Sequence, residues 1–311
     1  MTLFPRPILT NGATHPAAQF RMLVRDLARN AEGITEGDDL KVTQRSTPGS
    51  GVTVGDGSAV IKGRDDAFQG HYSACNVGAV DVDIAATGGT GRSDMLILRI
   101  EDREYTGNLD PEVDQIAYFQ IISNVSSSAT VIPDGRTGIP LARIDIPSST
   151  ATITNAMITD LRFIANPRRT RQMYTHSPTA TSSLIGGSTT YSYFSTEPGQ
   201  NIAIPTWATK ARVRLDVSPI RYTVASYFGA LSATFGSSLT LQAVALDDNQ
   251  GAGTRQSPSV VADTLTIPSA YRGTTQLLRA QANGGSGNTG RISVSNYTSF
   301  IYDVEFEEAP R

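Results

Sequence analysis

The side chains able to do chemistry are few and scattered. The three histidines, His15, His71 and His176, fall on three different predicted elements, and the one metal-ligating neighbour two or four residues from any of them is Cys75, four residues after His71. Cys75 is the single cysteine, which excludes an internal disulfide and leaves a cysteine-based zinc site dependent on converging histidines, so a buried, inert thiol is expected. No serine lies in a G-x-S-x-G context, which argues against a hydrolase built on a nucleophile elbow. Gly88-Gly89-Thr90-Gly91-Arg92 is glycine-rich, but a phosphate loop needs a following helix and a Lys-Ser/Thr; a strand follows here, and a hairpin turn is predicted.

Among the carboxylates, Asp81 and Asp83 alternate with Val80, Val82 and Ile84, which places both on the exposed face of a strand. Asp247-Asp248-Asn249 follows a strand and could ligate calcium, although a turn closed by Asx hydrogen bonds is the simpler reading. A glycosidase would need two carboxyl groups at a set separation in space, and no pair stands out from the turns. No catalytic residue, cofactor or metal ligand is assigned, and no enzymatic activity is expected. Binding is better served, because aromatic residues are frequent after residue 190: Tyr191, Tyr193, Phe194, Trp207, Tyr222, Tyr227, Phe228, Tyr271, Tyr297 and Tyr302. A tyrosine at a loop end can stack on a sugar ring while offering its hydroxyl. Tyr222, Tyr227 and Tyr271 are the exposed candidates for glycan binding, whereas Trp207 reads as a corner residue packed on the core.

One helix is predicted, from about Pro16 to Glu32, on the helical recurrence of Leu23, Val24, Leu27, Ala28 and Ala31, with Thr14 or His15 as cap and Gly33 as stop. Its polar face carries Arg21, Arg25 and Arg29, a solvated stripe or a contact for an acidic neighbour. Its apolar face must lie on its own sheet or on equivalent helices of an oligomer, and Phe20, Leu23 and Leu27 are the expected oligomer contacts. From Asp38 to Asp160 the pattern predicts an antiparallel meander with strands near 40–45, 52–54, 58–62, 71–75, 79–85, 94–101, 116–122, 141–146 and 151–153. In the first long one, Leu96, Leu98 and Ile100 take one face and Met95 and Ile97 the other, so it should be buried on both sides at its start. Residues 165–181, with two prolines and Arg168, Arg169 and Arg171, read as a linker. Beyond it, segments 188–194, 210–217, 220–235, 239–246, 263–268, 275–282, 290–297 and 299–308 predict a β-sandwich of jelly-roll type. The fold class is mainly β: an antiparallel β-domain over 1–164 with one amphipathic helix, and a C-terminal β-sandwich over 182–311.

The succession GVTVGDGSAVIKG (51–63), AVDVDIAA (79–86), RSDMLILRIEDREY (92–105) and GIPLARIDIPSSTATITNAMITDLR (138–162) resembles the N-terminal domain of minor tail proteins of long-tailed bacteriophages, particularly those of actinobacterial hosts. The resemblance covers roughly residues 1–165. A second stretch, IAIPTWATKARVRLDV (202–217), is similar to the opening of β-sandwich domains in the C-terminal halves of such proteins. The resemblance implies a structural component of the tail tip or baseplate, in contact with other tail proteins and with copies of itself in a symmetric ring, expected to be a trimer. Two further readings are an adhesin that binds host cell-wall glycan through the sandwich and a glycan-degrading tail enzyme.

Size and composition fit that picture. A chain of 311 residues predicts about two domains, each able to bury a core without staples. With 18% charged residues and a formal net charge of −3, nothing demands nucleic acid or an anionic membrane as partner. The opening MTLFPRPILTNGATHP lacks the basic and apolar regions of a secretory signal, and no later stretch approaches the ~18 apolar residues of a membrane span, so synthesis in a cytoplasm and final residence in the virion are expected.

Overall fold

The structure is a computed structural model that describes residues 7, 8 and 10–311. The chain forms two compact units, Met1–Pro167 together with Ala309–Arg311, and Arg168–Glu308. The second unit is therefore an insertion between Pro167 and Ala309 in the chain of the first.

Unit 1 contains helix α1 (Ala17–Leu27) and strands β1 (Gly33–Ile34), β2 (Val42–Gln44), β3 (Gly51–Val54), β4 (Gly57–Lys62), β5 (His71–Asn76), β6 (Val80–Asp83), β7 (Arg92–Ile100), β8 (Ala117–Val125), β9 (Gly138–Ile146) and β10 (Ile158–Asp160). They build three antiparallel sheets of order β1-β4-β5, β2-β3-β6 and β10-β9-β7-β8 around one apolar core. β7 is buried on both faces along residues 95–98, as its apolar run predicts, and the burial extends back through the polar Ser93 and Asp94. β9 starts three residues before the predicted Leu141. Pro140, which has no N–H for the ladder, sits where the β7–β9 register shifts.

Two local expectations fail in this unit. Residues 151–153 form no strand: the Ile153 side chain is buried in the core while its N–H donates to the Gly49 carbonyl at 2.9 Å, and the pairing partner of β9 is β10. Gly88–Gly91 is no hairpin, because β6 pairs with β3 whereas β7 pairs with β8 and β9; the loop passes from one sheet to another, and Gly88 accepts the Ser149 N–H at 2.6 Å.

The last three residues close this unit. The Arg162 guanidinium, fully buried, donates to the carbonyls of Asp39 (2.7 Å) and Arg311 (2.9 Å) and is paired with Asp160 at 2.7 Å. The Arg311 N–H donates to the Gly37 carbonyl at 2.8 Å, and its side chain meets Asp38 at 3.1 Å.

Unit 2 comprises β11 (Arg169–His176), β12 (Ser192–Tyr193), β13 (Gln200–Ala203), β14 (Lys210–Thr223), β15 (Phe228–Phe235), β16 (Leu239–Thr240), β17 (Val244–Asp247), β18 (Arg255–Thr266), β19 (Thr275–Gly284), β20 (Arg291–Ser293) and β21 (Ser299–Glu307). One sheet runs β11-β21-β14-β18, with β20 also on β14; the other runs β12-β19-β15-β16, with β13 on β19 and β17 on β15. Each of the pairs β12 and β13, β16 and β17, and β20 and β21 shares one edge of one neighbour. Counted as single positions, they give the sheet orders 1-8-3-6 and 2-7-4-5, which is the jelly roll. Ala211, Val213, Leu215 and Val217 of β14 all point into the core between the sheets.

The segment expected as a linker holds β11, which pairs along its whole length with β21, from Arg169 opposite Glu307 to His176 opposite Phe300. The inward positions of β11 are Thr170, Gln172, Tyr174 and His176, so no apolar alternation marks it. Its arginines are the outer face of a strand: Arg169 meets Glu307 at 2.9 Å and Arg171 meets Asp303 at 2.5 Å, each on β21. The predicted single strand 220–235 is broken at Val224, whose φ is +76°, and only Ser192–Tyr193 of the predicted strand 188–194 pairs. Neither β13 nor the first half of β18 was predicted.

Removing Ala309–Arg311 takes an acceptor from a fully buried guanidinium, and we expect unit 1 to lose about 1–3 kcal/mol. Hydrogen exchange resolved by segment should show faster exchange in β9 and β10, with β14 and β19 unchanged. Equal loss in both units would contradict the assignment.

Candidate interaction surface

α1 is shorter than predicted. It begins after Pro16 without a side-chain cap and ends at Ala28, because Arg29 and Asn30 take left-handed φ of +53° and +61°. Its orientation is the larger surprise. The buried side chain of this helix is Arg21, at 8% exposure, while Phe20 is 46% and Leu27 72% exposed and Leu23 and Val24 are half-buried.

Arg21 is held from several directions. Its Nε donates to the Gln69 carbonyl at 2.8 Å, and its Nη2 donates to Glu104 at 2.8 Å and to the Tyr105 hydroxyl at 2.9 Å. Nη1 lies 3.5 Å from Asp102, and the guanidinium sits over the rings of Tyr72 (5.4 Å) and Tyr105 (5.2 Å). Burial pulls the Arg21 pKa down, but the hydrogen bonds to Glu104 and Tyr105 outweigh it and leave it above the ordinary value. Tyr72 donates to Asp102 at 2.7 Å; burial first and that bond second push its pKa far up. Gly70 lets the helix come this close: a Cβ there would lie 2.7 Å from the Arg21 carbonyl carbon, and its φ is +78°. The predicted Arg21-Arg25-Arg29 stripe is thus not one solvated face. Arg21 belongs to the interior, Arg25 is half-buried against Met22, and Arg29 is exposed beyond the helix end.

Beside α1 lies an open groove of about 860 Å³, lined by Phe20, Val24, His71, Tyr72, Pro111 and Ile116 among others. Its walls are mostly apolar, with Arg21, Asp102 and Glu104 at one side, a composition that accepts apolar side chains and orients them with a few polar groups. His71 is buried here, and burial holds its pKa below the ordinary 6.5. Of the predicted oligomer contacts, Phe20 lines this groove, while Leu23 and Leu27 continue along the helix outside it.

The expected glycan-binding tyrosines are not on the surface. Tyr222, Tyr227 and Tyr271 are 3%, 0% and 7% exposed. Tyr222 lies in the inward register of β14, which extends six residues past the predicted 217, and packs edge-on against Tyr227 at 5.8 Å. The Tyr227 hydroxyl donates to the Asn283 carbonyl at 2.6 Å. Tyr271 accepts the Ser238 N–H at 2.8 Å, and hydrogen bonds from Ser237 and Ser238 lower its pKa. None of these rings can stack on a sugar. The exposed aromatics of this unit are Tyr193, Phe228 and Tyr297.

Other singled-out residues settle simply. Cys75 is exposed, against expectation, because Ala74 takes the inward position on β5. Asp81 and Asp83 are exposed and bridged by Arg45, at 3.4 and 2.6 Å. Asp248 accepts the Tyr227 N–H at 2.8 Å and pairs with Arg255; burial pushes its pKa up, but these bonds prevail and hold it below the usual carboxylate range. Among the described residues, no group of three His, Cys, Asp or Glu could hold a metal ion, and no helix is long and apolar enough to cross a membrane.

No protein-family description and no curated protein sequence matches the chain. Among solved structures it is similar to infectious bursal disease virus VP2 from a subviral particle, at 13% identity over 94% of this chain and 82% of that one, with a TM-score of 0.26. The structure of the Gx strain of the same virus gives 11% identity over 90% and 80%, with a TM-score of 0.26. The Cry4Aa mosquito-larvicidal toxin of Bacillus thuringiensis gives 7% identity over 90% and 54%, with a TM-score of 0.21.

Substituting Arg21→Met should destabilise unit 1 by roughly 2–3 kcal/mol and speed hydrogen exchange over α1, whereas Phe20→Ala should change the stability of the isolated chain by less than ~0.5 kcal/mol. The reverse order in denaturant melts would show that apolar burial anchors the helix. Because the folded His71 is kept neutral, the unfolded chain takes up a proton first as pH falls. Stability of unit 1 should therefore drop as pH falls below 6.5, and His71→Gln should flatten that dependence in thermal melts.

Proposed function

We propose that the chain is a structural virion protein of a phage tail tip or baseplate, which assembles as a symmetric homo-oligomer, a trimer, through α1 and displays the jelly roll of unit 2. The observation that carries the assembly is the orientation of α1: Arg21 occupies the interior, so Phe20 and Leu27 face outward beside an apolar groove. An amphipathic helix in that position gains most of its apolar burial only when another surface covers it. The tail-tip role rests on the resemblance of residues 1–165 to minor tail proteins. Two β-built units without an assembled metal cluster among the described residues suit a part that works through shape and contact, and jelly rolls serve in both virion and lectin domains.

The full chain should sediment as a trimer at micromolar concentration. The double variant Phe20→Asp/Leu27→Asp should sediment as a monomer with an unchanged far-ultraviolet spectrum. A monomeric wild type defeats the assembly reading. Mass spectrometry of purified particles should find the chain at stoichiometric copy number, and its absence from them defeats the virion reading.

A further inference from the structure

Unit 2 carries an open polar depression that neither the apolar core nor the salt-laced face of its first sheet requires. Its volume is about 910 Å³, and it is lined by His176, Thr179, Ser195, Thr196, Gln200 and Arg279 among others. No carboxylate side chain is among the residues that line it. Arg169, Arg171, Arg212, Arg214 and Arg255 each meet a carboxylate. Arg279 instead donates through Nε to the Glu197 carbonyl at 2.9 Å and lies 4.6 Å above the half-exposed Tyr193 ring, with no ion pair among the described residues. Its charge is thus positioned at the wall of a concavity by a backbone oxygen and a ring face, and the nearest carboxylate of the site, Glu197, is buried beneath it and spends Oε1 on Tyr302, Gly199 and His176.

The floor is rigid and incompletely satisfied. Glu197 is fully buried; its Oε1 accepts the Tyr302 hydroxyl at 2.8 Å and the Gly199 N–H at 2.9 Å, and lies 2.6 Å from His176 Nε2. A carboxylate oxygen accepts, so Nε2 carries the proton and Nδ1 is the ring nitrogen left for another group. The His176 ring is further fixed by stacking on Tyr302 at 5.4 Å. Thr196 Oγ1, on the lining itself, is buried and has no hydrogen-bond partner. A buried hydroxyl without a partner is uncommon in a folded protein and points to a group supplied from outside.

We propose that this depression binds an acidic sugar or sugar phosphate. Arg279 meets the anionic group, and Thr196, Thr179, Ser195 and Gln200 meet the hydroxyls. Glu197 takes no part in contact; it positions His176. The site is distinct from the three buried tyrosines and is independent of the oligomer proposed above.

The test is a titration of the full chain, followed by amide chemical shifts or calorimetry, with glucose 6-phosphate, glucuronate, glucose and inorganic phosphate as probes. Saturable binding of at least one acidic sugar with millimolar Kd is expected, with glucose and inorganic phosphate each about tenfold weaker; whichever of the two acidic sugars binds tighter identifies phosphate or carboxylate as the preferred anion. Arg279→Gln should weaken binding about tenfold. Because Arg279 also ties down the Glu197 turn, Thr196→Val is the sharper variant: it removes a hydroxyl with no partner in the free protein, so the melting temperature should hold while affinity falls several-fold. Absence of saturation by either acidic sugar at about 20 mM overturns the proposal. So does glucose or inorganic phosphate binding as tightly as the acidic sugars, or Thr196→Val binding like the wild type.

Discussion

The burial of one arginine organises unit 1. Desolvating a guanidinium is expensive unless its donors are met, and here carbonyl, carboxylate, hydroxyl and two ring faces meet them within a single pocket. Arg21 reaches residues 48, 83 and 84 positions away in sequence, so one side chain ties the helix to the turn before β5 and to the segment after β7. A leucine at that position would bury more apolar area, but it would leave the Gln69 carbonyl and the Tyr105 hydroxyl without their donor. The consequence is geometric: a helix anchored by its basic side shows its apolar side to the outside.

Unit 2 is governed by a different constraint, the closure of two sheets on one core. β14 is central to the first sheet and β19 to the second, and each carries small or branched residues inward at every other position. The aromatic rings cluster near the end of this core, where Phe194, Phe300, Tyr302 and His176 stack or meet edge-on. That end is also where the chain buries Glu197, a charge that the surrounding donors hold in one geometry. Packing of the rings and placement of the carboxylate are therefore one arrangement seen twice.

Much of this was legible in the sequence, and the omissions have physical causes. β7 announces itself by an apolar run buried on both faces, and β14 and β21 because one face meets the core along their length, with residues such as Val213 and Leu215 alternating with charges. β11 does not, since Gln172 and His176 occupy its inward positions and its stability comes from β21 opposite. Helical periodicity separates apolar from charged faces, but it assumes that arginine faces water, and Arg21 reverses that. Tyr227 was misplaced for a related reason: the turn beginning at Val224 folds the ring back under Asn283, a nonlocal contact with no local signature. The cluster of His176, Glu197, Arg279 and Tyr302 was invisible because its members lie up to 126 positions apart (302 − 176) and share no spacing motif.

The point of entry into unit 2 has its own logic. Arg168 and Glu308 are neighbours: the Glu308 N–H donates to the Arg168 carbonyl at 3.1 Å, and Arg168 Nε donates to the Glu308 carboxylate at 2.8 Å. The polypeptide goes in and comes out by the same doorway. A segment bounded in this way can be exchanged as a cassette by crossovers at its two ends, which are 140 residues apart in sequence but adjacent in the fold, leaving Arg162 and Arg311 to close the first unit as before. Such modularity would let one unit diversify while the sequence of the other is kept.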